Sequence, residues 1–403
     1  MEKENSQYYK ILYYICFYFG FLWIWNSIRL PKIGEGHKVQ PIIIIAFFGF
    51  FFIYGISVGQ YKTKINDFNN KISRIRSTSS NTNGKVALEK LPELQKVKLP
   101  IEPELLKPWT IYYSFFVTEP IKIGFHSKIM SIMSNKNDLS ELDLSGLDLS
   151  HKSNFNFDKA NFKNSILKNV NFKGVNLKNA NLKGVNLKYS NLESANLEGV
   201  ELRKANLYNA NLEGVNLKSA NLQNANLEGV LLRKAKLNKA NFNKVNLKNA
   251  NLQGSILINA NLQNANMVKS NLQNTMLKEV NLKNANLRDA NMQNTYAEKS
   301  ILINTDLRNV NLKNANIGWA KFQGANLQGA NLNNSNFQHT NLFKANLKDT
   351  NLQGANFQHS ILFKVNLLGA KIDKETNFKD INLSGAIWIN GKKCGKGSIG
   401  KCI

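Results

Sequence analysis

The stretch Ala180-Asn181-Leu182-Lys183-Gly184-Val185-Asn186-Leu187-Lys188 decides the fold, because it exposes a five-residue cycle that runs far in both directions. From Phe157 through Phe162, Leu167, Phe172 and Leu177 to Ile372, every fifth residue is Leu, Phe, Met or Ile, with Ala297 the exception. Two places earlier, every residue from Ala160 to Ala370 is Ala, Val, Ser or Thr, and the residue between is usually Asn. The register holds for 44 units. Self-similarity of this kind outranks any local helix or strand preference.

Five is neither a helical nor a strand period. Residues five apart in an α-helix drift around the axis by about 500°, and in a plain strand they face opposite ways. A coil that turns a corner once per unit keeps the large centre residue and the small one before it inside. The intervening Asn and the last two residues then point out. Burying one Leu yields roughly 1.5–3 kcal/mol, while ordering five backbone residues costs about 5–10 kcal/mol. One unit therefore cannot fold alone, and the coils must stack.

The A-N-L-K-G and A-N-L-Q-G units resemble the pentapeptide-repeat family, whose pattern is A-(D/N)-L-x-x. The resemblance covers about half the chain. It implies an all-β solenoid, a right-handed quadrilateral parallel β-helix with four units per coil, hence about 11–12 coils and a rod of roughly 50 Å at ~4.8 Å per coil. Asn at the outward position suits unusual backbone angles and side-chain-to-backbone bonding. Leu139, Leu144 and Leu149 form imperfect leading units, and Phe378, Leu383 and Trp388 follow a one-residue slip, so both ends read as caps. A terminal tail, Gly391 to Ile403, carries Cys394 and Cys402.

Ahead of the repeats, Ile11–Ile28 and Pro41–Gly59 are uncharged and rich in aromatic and aliphatic residues. Each is nearly long enough to cross a ~30 Å hydrocarbon layer, so the sequence predicts a two-helix transmembrane hairpin. A cleaved secretory signal is disfavoured by the lack of a small-x-small site and by the second apolar stretch close behind. The loop carries Arg29, Lys32 and Lys38, against Lys3, Lys10, Lys62, Lys64, Lys71, Arg74 and Arg76 on the flanks. The positive-inside rule then puts both termini and the repeat domain in the cytoplasm. The domain reading is 1–59 hairpin, 60–137 Pro-containing linker, 138–390 repeat β-helix and 391–403 tail. Within the linker, Trp109–Val117 is apolar and reads as a strand against the first coil in preference to a segment lying on the bilayer surface. Cytoplasmic placement favours free thiols at Cys394 and Cys402, whereas the opposite orientation would allow a disulfide between them; Cys16 reads as packing within the first span.

Net charge is +26, and residues 151–372 alone carry 29 Lys and Arg against 11 Asp and Glu, or +18. Some relatives of this repeat type imitate DNA toward gyrase with an acidic rod; a basic rod cannot. Lys163, Lys168, Lys173, Lys178, Lys183 and Lys188 share one position in six successive units and form a basic collar suited to a polyanion, anionic lipid or nucleic acid. No nucleic-acid-binding motif accompanies it, so nucleic acid is the less favoured partner.

Departures from the outward Asn are the pointers to a contact site. Ile256, Met276 and Tyr296 are spaced by twenty, as are Phe343 and Phe363, with Ile301, Ile303 and Ile361 nearby. Contiguous exposed apolar surface marks partner sites, so these eight residues are the candidate protein-binding patch. His339 and His359 are also twenty apart, but two imidazoles fall short of the four ligands of a structural zinc site. No convergent set of catalytic groups, metal motif or cofactor loop occurs. The functional expectation is a non-enzymatic, membrane-anchored scaffold whose rod binds a protein or a membrane surface, with polyanion binding as the alternative.

Overall fold

The computed structural model describes residues 41–79, 88–95, 98–100, 102–104, 110, 114, 118–120, 138–150 and 156–403. They belong to two compact units, Met1–Lys128 and Ile129–Ile403.

The first unit contains α1 (Pro41–Ser79), α2 (Leu91–Gln95) and a two-stranded antiparallel ladder of β1 (Lys98–Pro100) and β2 (Thr118–Pro120), with Leu99 opposite Glu119. Pro41 opens α1, where a missing N–H costs nothing. The helix then runs 39 residues without a break. In its second half Phe68, Ile72 and Ile75 fall on one buried face, while Lys71 and Asp67 pair at 3.0 Å on the solvent side. Ser57 is buried and hydrogen-bonds Ser114, and Tyr61 donates to Glu102 at 3.4 Å.

This corrects the expected membrane hairpin. Ile11–Ile28 lies outside the described residues. Pro41–Gly59 is not a separate span but the start of a longer helix that continues through Lys62, Lys64, Asp67, Lys71 and Arg74. Among the described residues no helix is long and apolar enough to cross a membrane. The membrane anchor, the membrane as partner, and the cytoplasmic placement derived from loop lysines are withdrawn with it. The helix also passes through the boundary drawn at residue 59. Of Trp109–Val117, expected as a strand, Thr110 and Ser114 are described and both are helical.

The second unit is a solenoid. The outward residue of each unit forms a parallel bridge with the residue twenty further on, as in Asn176 with Asn196 and Asn181 with Glu201, so four units close one coil. Each unit makes three bonds to its neighbouring coils. Around Leu182, for example, Leu182 N–H donates to Glu201 C=O (2.7 Å), Gly184 N–H to Arg203 C=O (2.9 Å) and Asn181 N–H to Ala160 C=O (2.9 Å). The corner is a tight turn in which Val185 N–H donates to Leu182 C=O at 3.2 Å. Centre residues and the small residues before them are buried along the whole stack. Inward hydroxyls bond the preceding turn, as when Ser255 donates to Leu252 C=O at 2.6 Å. Among the described residues no buried hydroxyl is therefore left without a partner.

The corner chemistry differs from expectation. The left-handed residue is the last of each unit, such as Asn179 (φ 55°) and Gly184 (φ 69°), and not the recurrent Asn. That Asn has a different task. Asn181 Oδ1 accepts from Lys183 N–H (3.2 Å) while its Nδ2 donates to Asn161 Oδ1 one coil back (2.9 Å), which ties the turn and links the coils. Two irregularities are absorbed without breaking the stack. The first coil pairs across twenty-three residues (Asp138 with Asn161), and after Ile372 pairing shifts to twenty-one (Asn356 with Asn377). Asp373 fills that second slip by accepting from Gly354 N–H (3.0 Å) and Thr376 N–H (2.9 Å). The tail folds back antiparallel, pairing Asn382 with Ile399 and Ile387 with Lys393.

Candidate interaction surface

Two adjacent faces of the rod carry most of the apolar departures, while single ones, Ile166 and Leu231, stand exposed on the other two. On one, Lys236, Ile256, Met276 and Tyr296 follow one another in the bridge ladder. Met276 and Tyr296 are exposed, Tyr296 by 58 %. Ile256 and Met276, with the neighbouring Ile258, floor a shallow depression of about 650 Å³ rimmed by Lys218, Lys236 and Lys239. Ile258 was missed by the sequence reading, although it stands two residues past Ile256.

On the next face Ile301 leads through Lys321 and Asn341 to Ile361 in the bridge ladder. Beside that ladder Ile303, Gln323, Phe343 and Phe363 occupy equivalent sites in successive coils. The Phe343 and Phe363 rings stack in parallel, 5.8 Å apart and 8° from coplanar, and both stay half-exposed. Lys344 and Lys364 sit 5.2 and 5.1 Å from the respective ring centroids. Gln323 interrupts the apolar run, and its Oε1 is buried without a hydrogen-bond partner. The eight candidate residues thus fall on two adjacent faces, in the two columns that the spacing of twenty predicts.

The lysine collar winds around all four faces, since successive units occupy successive sides. Lys173 pairs with Glu193 (2.9 Å) and Lys178 with Glu198 (3.3 Å), each one coil on. That pairing, with help from Asn216, holds the Glu198 carboxyl below its ordinary pKa. Lys168 lies 6.0 Å from the Tyr189 ring, leaving Lys163, Lys183 and Lys188 as the freer cations.

A third cluster extends the His339 and His359 column, whose spacing of twenty the sequence shows, by Trp319, which the sequence reading missed. Trp319 stacks on His339 (4.1 Å, 11°), and His339 on His359 (5.1 Å, 21°), with Asp380 3.9 Å from His359. Trp319 is 59 % exposed. Its signal was Trp at a corner position held mostly by Asn, Lys or Gly. Among the described residues no group of His, Cys, Asp or Glu is arranged to hold a metal ion. At the C-terminus, Cys394 and Cys402 form a disulfide with Cα atoms 4.9 Å apart. The free thiols that a cytoplasmic placement favoured give way to the alternative, a disulfide, and the antiparallel fold-back is what brings the two cysteines together.

Residues 185–262 match the family described as "Pentapeptide repeat region", and segments covering 156–192 and 255–374 match "Pentapeptide repeats (8 copies)". Similar solved structures include HetL, a pentapeptide repeat protein involved in heterocyst differentiation regulation from Nostoc sp. It is 26 % identical, covering 68 % of this chain and 99 % of its own, with a TM-score of 0.25. Rfr23, a pentapeptide repeat protein from Cyanothece, is 26 % identical over 33 % of this chain and 97 % of its own (TM-score 0.25). QnrB1, a plasmid-mediated fluoroquinolone resistance protein, is 17 % identical over 58 % of this chain and 94 % of its own (TM-score 0.22). No curated protein matches the sequence.

Proposed function

Because the chain belongs to the pentapeptide-repeat family across residues 156–374, we propose that its rod is a protein-binding scaffold that engages its partner through the Phe343/Phe363 face. The repeat region is a non-catalytic scaffold, as proteins of this family generally are. Its interior is closed by Leu and Phe centres that leave no room for a substrate, so any ligand must be met on the outside.

The observation that carries the proposal is the stacked, half-exposed pair Phe343 and Phe363 beside exposed Ile361. The matching sites in earlier coils are Asn243 and Gln263, which satisfy the same backbone geometry at no cost in exposed apolar area. Aromatic side chains on a rigid surface are the usual anchors of an interface. A solenoid adds a benefit, because its backbone is already ordered and little further entropy is lost on docking.

The test places a photo-crosslinking benzoylphenylalanine at Ile361 in the full chain, expressed in its native cells. A defined protein should crosslink reproducibly and should be lost when Phe343→Asn and Phe363→Asn are introduced together. Crosslinks that persist unchanged in the double variant would refute this face as the partner site.

A further inference from the structure

We propose that the partner segment received by the Phe343/Phe363 face is acidic: a peptide segment presenting carboxylates around apolar side chains. This rests on the reading of that face as a protein-binding site and adds the chemistry of its occupant.

The argument is one of unbalanced charge. On the other three faces several basic residues find carboxylates close by. Lys173 pairs with Glu193, Lys178 with Glu198, Arg233 with Glu213 at 2.6 Å, and Arg308 with Asp306 at 2.6 Å. The spacing of twenty makes such pairing easy, since any carboxylate one coil away lies about 4.8 Å along the axis. On the Phe343/Phe363 face the outward positions from Asn281 to Lys364 contain Lys283, Lys321, Lys344 and Lys364 and no Asp or Glu. All four lysines are exposed. None forms an ion pair among the described residues, while Lys344 and Lys364 lie against the two phenylalanine rings.

Four uncompensated ammonium groups therefore border two aromatic rings and three isoleucines. A basic partner would be repelled, and a neutral apolar one would leave the lysines without counter-charge as it stripped water from them. An acidic partner satisfies both halves: its apolar side chains cover the rings while its carboxylates meet the lysines at the rim. The coil spacing also suits a helical segment lying along the rod. Residues i and i+3 of an α-helix rise about 4.5 Å and share a face, close to the ~4.8 Å step between Phe343 and Phe363.

The test uses a short fluorescein-labelled peptide of Glu and Leu in an amphipathic-helix pattern, a control with every Glu replaced by Gln, and the full-length protein. Binding is followed by fluorescence anisotropy at low and high salt. The acidic peptide should bind at least tenfold more tightly than the Gln control, and the difference should shrink with salt. It should weaken about tenfold in Phe343→Asn/Phe363→Asn and again in Lys321→Gln/Lys344→Gln/Lys364→Gln. Asn and Gln already occupy equivalent outward positions, and circular dichroism checks that both variants fold.

Equal binding of the two peptides overturns the acidic assignment. So does acidic-peptide binding that ignores the phenylalanine substitutions, which marks mere counter-ion attraction. Binding of duplex DNA but of neither peptide overturns it as well, in favour of a polyanion. A neutral or basic partner recovered by crosslinking from Ile361 would leave the protein-binding reading standing and remove only this inference.

Discussion

Phe337→Ala measures how the stack distributes its stability. Phe337 is fully buried, with its ring 5.4 Å from Phe322 and 5.1 Å from Phe357, and the row continues through Phe378 at 5.6 Å to Trp388 at 5.5 Å. Truncation removes both ring contacts and leaves a void that the coils cannot close. Their separation is fixed by backbone bonds such as Phe337 N–H to Asn356 C=O at 2.7 Å. The expected loss is about 3–5 kcal/mol, which for a unit of this size lowers Tm by roughly 6–20 °C. Phe337→Leu should cost under about 1.5 kcal/mol, because Leu already fills most centres and nearly preserves the volume. Because each coil contacts only its neighbours, the damage should stay local. Hydrogen exchange should accelerate for amides between about Ile317 and Phe378 and remain slow near Leu182 and Leu207. A Phe337→Ala protein that melts like Phe337→Leu, or loses protection uniformly along the rod, would refute the nearest-neighbour reasoning.

Three further outcomes follow from particular contacts. Gln323→Leu removes the buried Oε1 that has no partner and should raise stability by about 1 kcal/mol; a lower denaturation midpoint would show that the amide is satisfied. Asp373 is held below its ordinary pKa first by Gly354 N–H and then by the Thr376 hydroxyl. A depressed carboxylate stabilises above its unfolded pKa, and that contribution is lost as pH falls through the native value. The wild type should therefore lose thermal stability below about pH 4, and Asp373→Ala should flatten that part of the profile; superimposable acid profiles would dismiss the role. Reducing the Cys394–Cys402 bridge should destabilise the cap by about 2–3 kcal/mol on the chain-entropy account. Cys394→Ser should have the same effect and abolish the response to reductant, whereas identical melting with and without reductant would argue against a bridge.

The interior was readable because a five-residue cycle admits few inside–outside patterns, and the columns followed once twenty residues made a coil. Phe343 over Phe363 was visible on that basis, and so was the Lys173–Glu193 pair, since Glu193 stands twenty residues on. The left-handed corner was misplaced. Asn tolerates such angles, yet here its amide ties the turn and links the coils, and the last residue of each unit takes the left-handed angle. The disulfide was left undecided by the sequence because it depends on an antiparallel fold-back that breaks the repeat. For Pro41–Gly59, hydropathy was judged over the apolar window alone. The spacing of Phe68, Ile72 and Ile75 beyond it already signalled one continuing amphipathic helix.

The two exposed aromatic columns differ in what the rod itself asks of them. Trp319, His339 and His359 hold positive φ of 63°, 59° and 61°, a conformation that costs a residue bearing Cβ roughly 1–2 kcal/mol. Each stacked ring pair returns about 0.5–1.5 kcal/mol. Stacking of Trp319 on His339 and His359 therefore offsets much of the corner strain, and the column has a sufficient explanation inside the molecule. Phe343 and Phe363 are absent from the positive-φ positions and have no such strain to relieve. Gln or Asn at the same sites closes the same turn, as Gln263 and Asn243 do. Half-exposed rings that the fold does not require, set among lysines that the fold does not neutralise, are accounted for by a surface outside the chain. The Trp319 column needs no such surface, which is why the partner is assigned to the Phe343/Phe363 face and not to the more exposed indole.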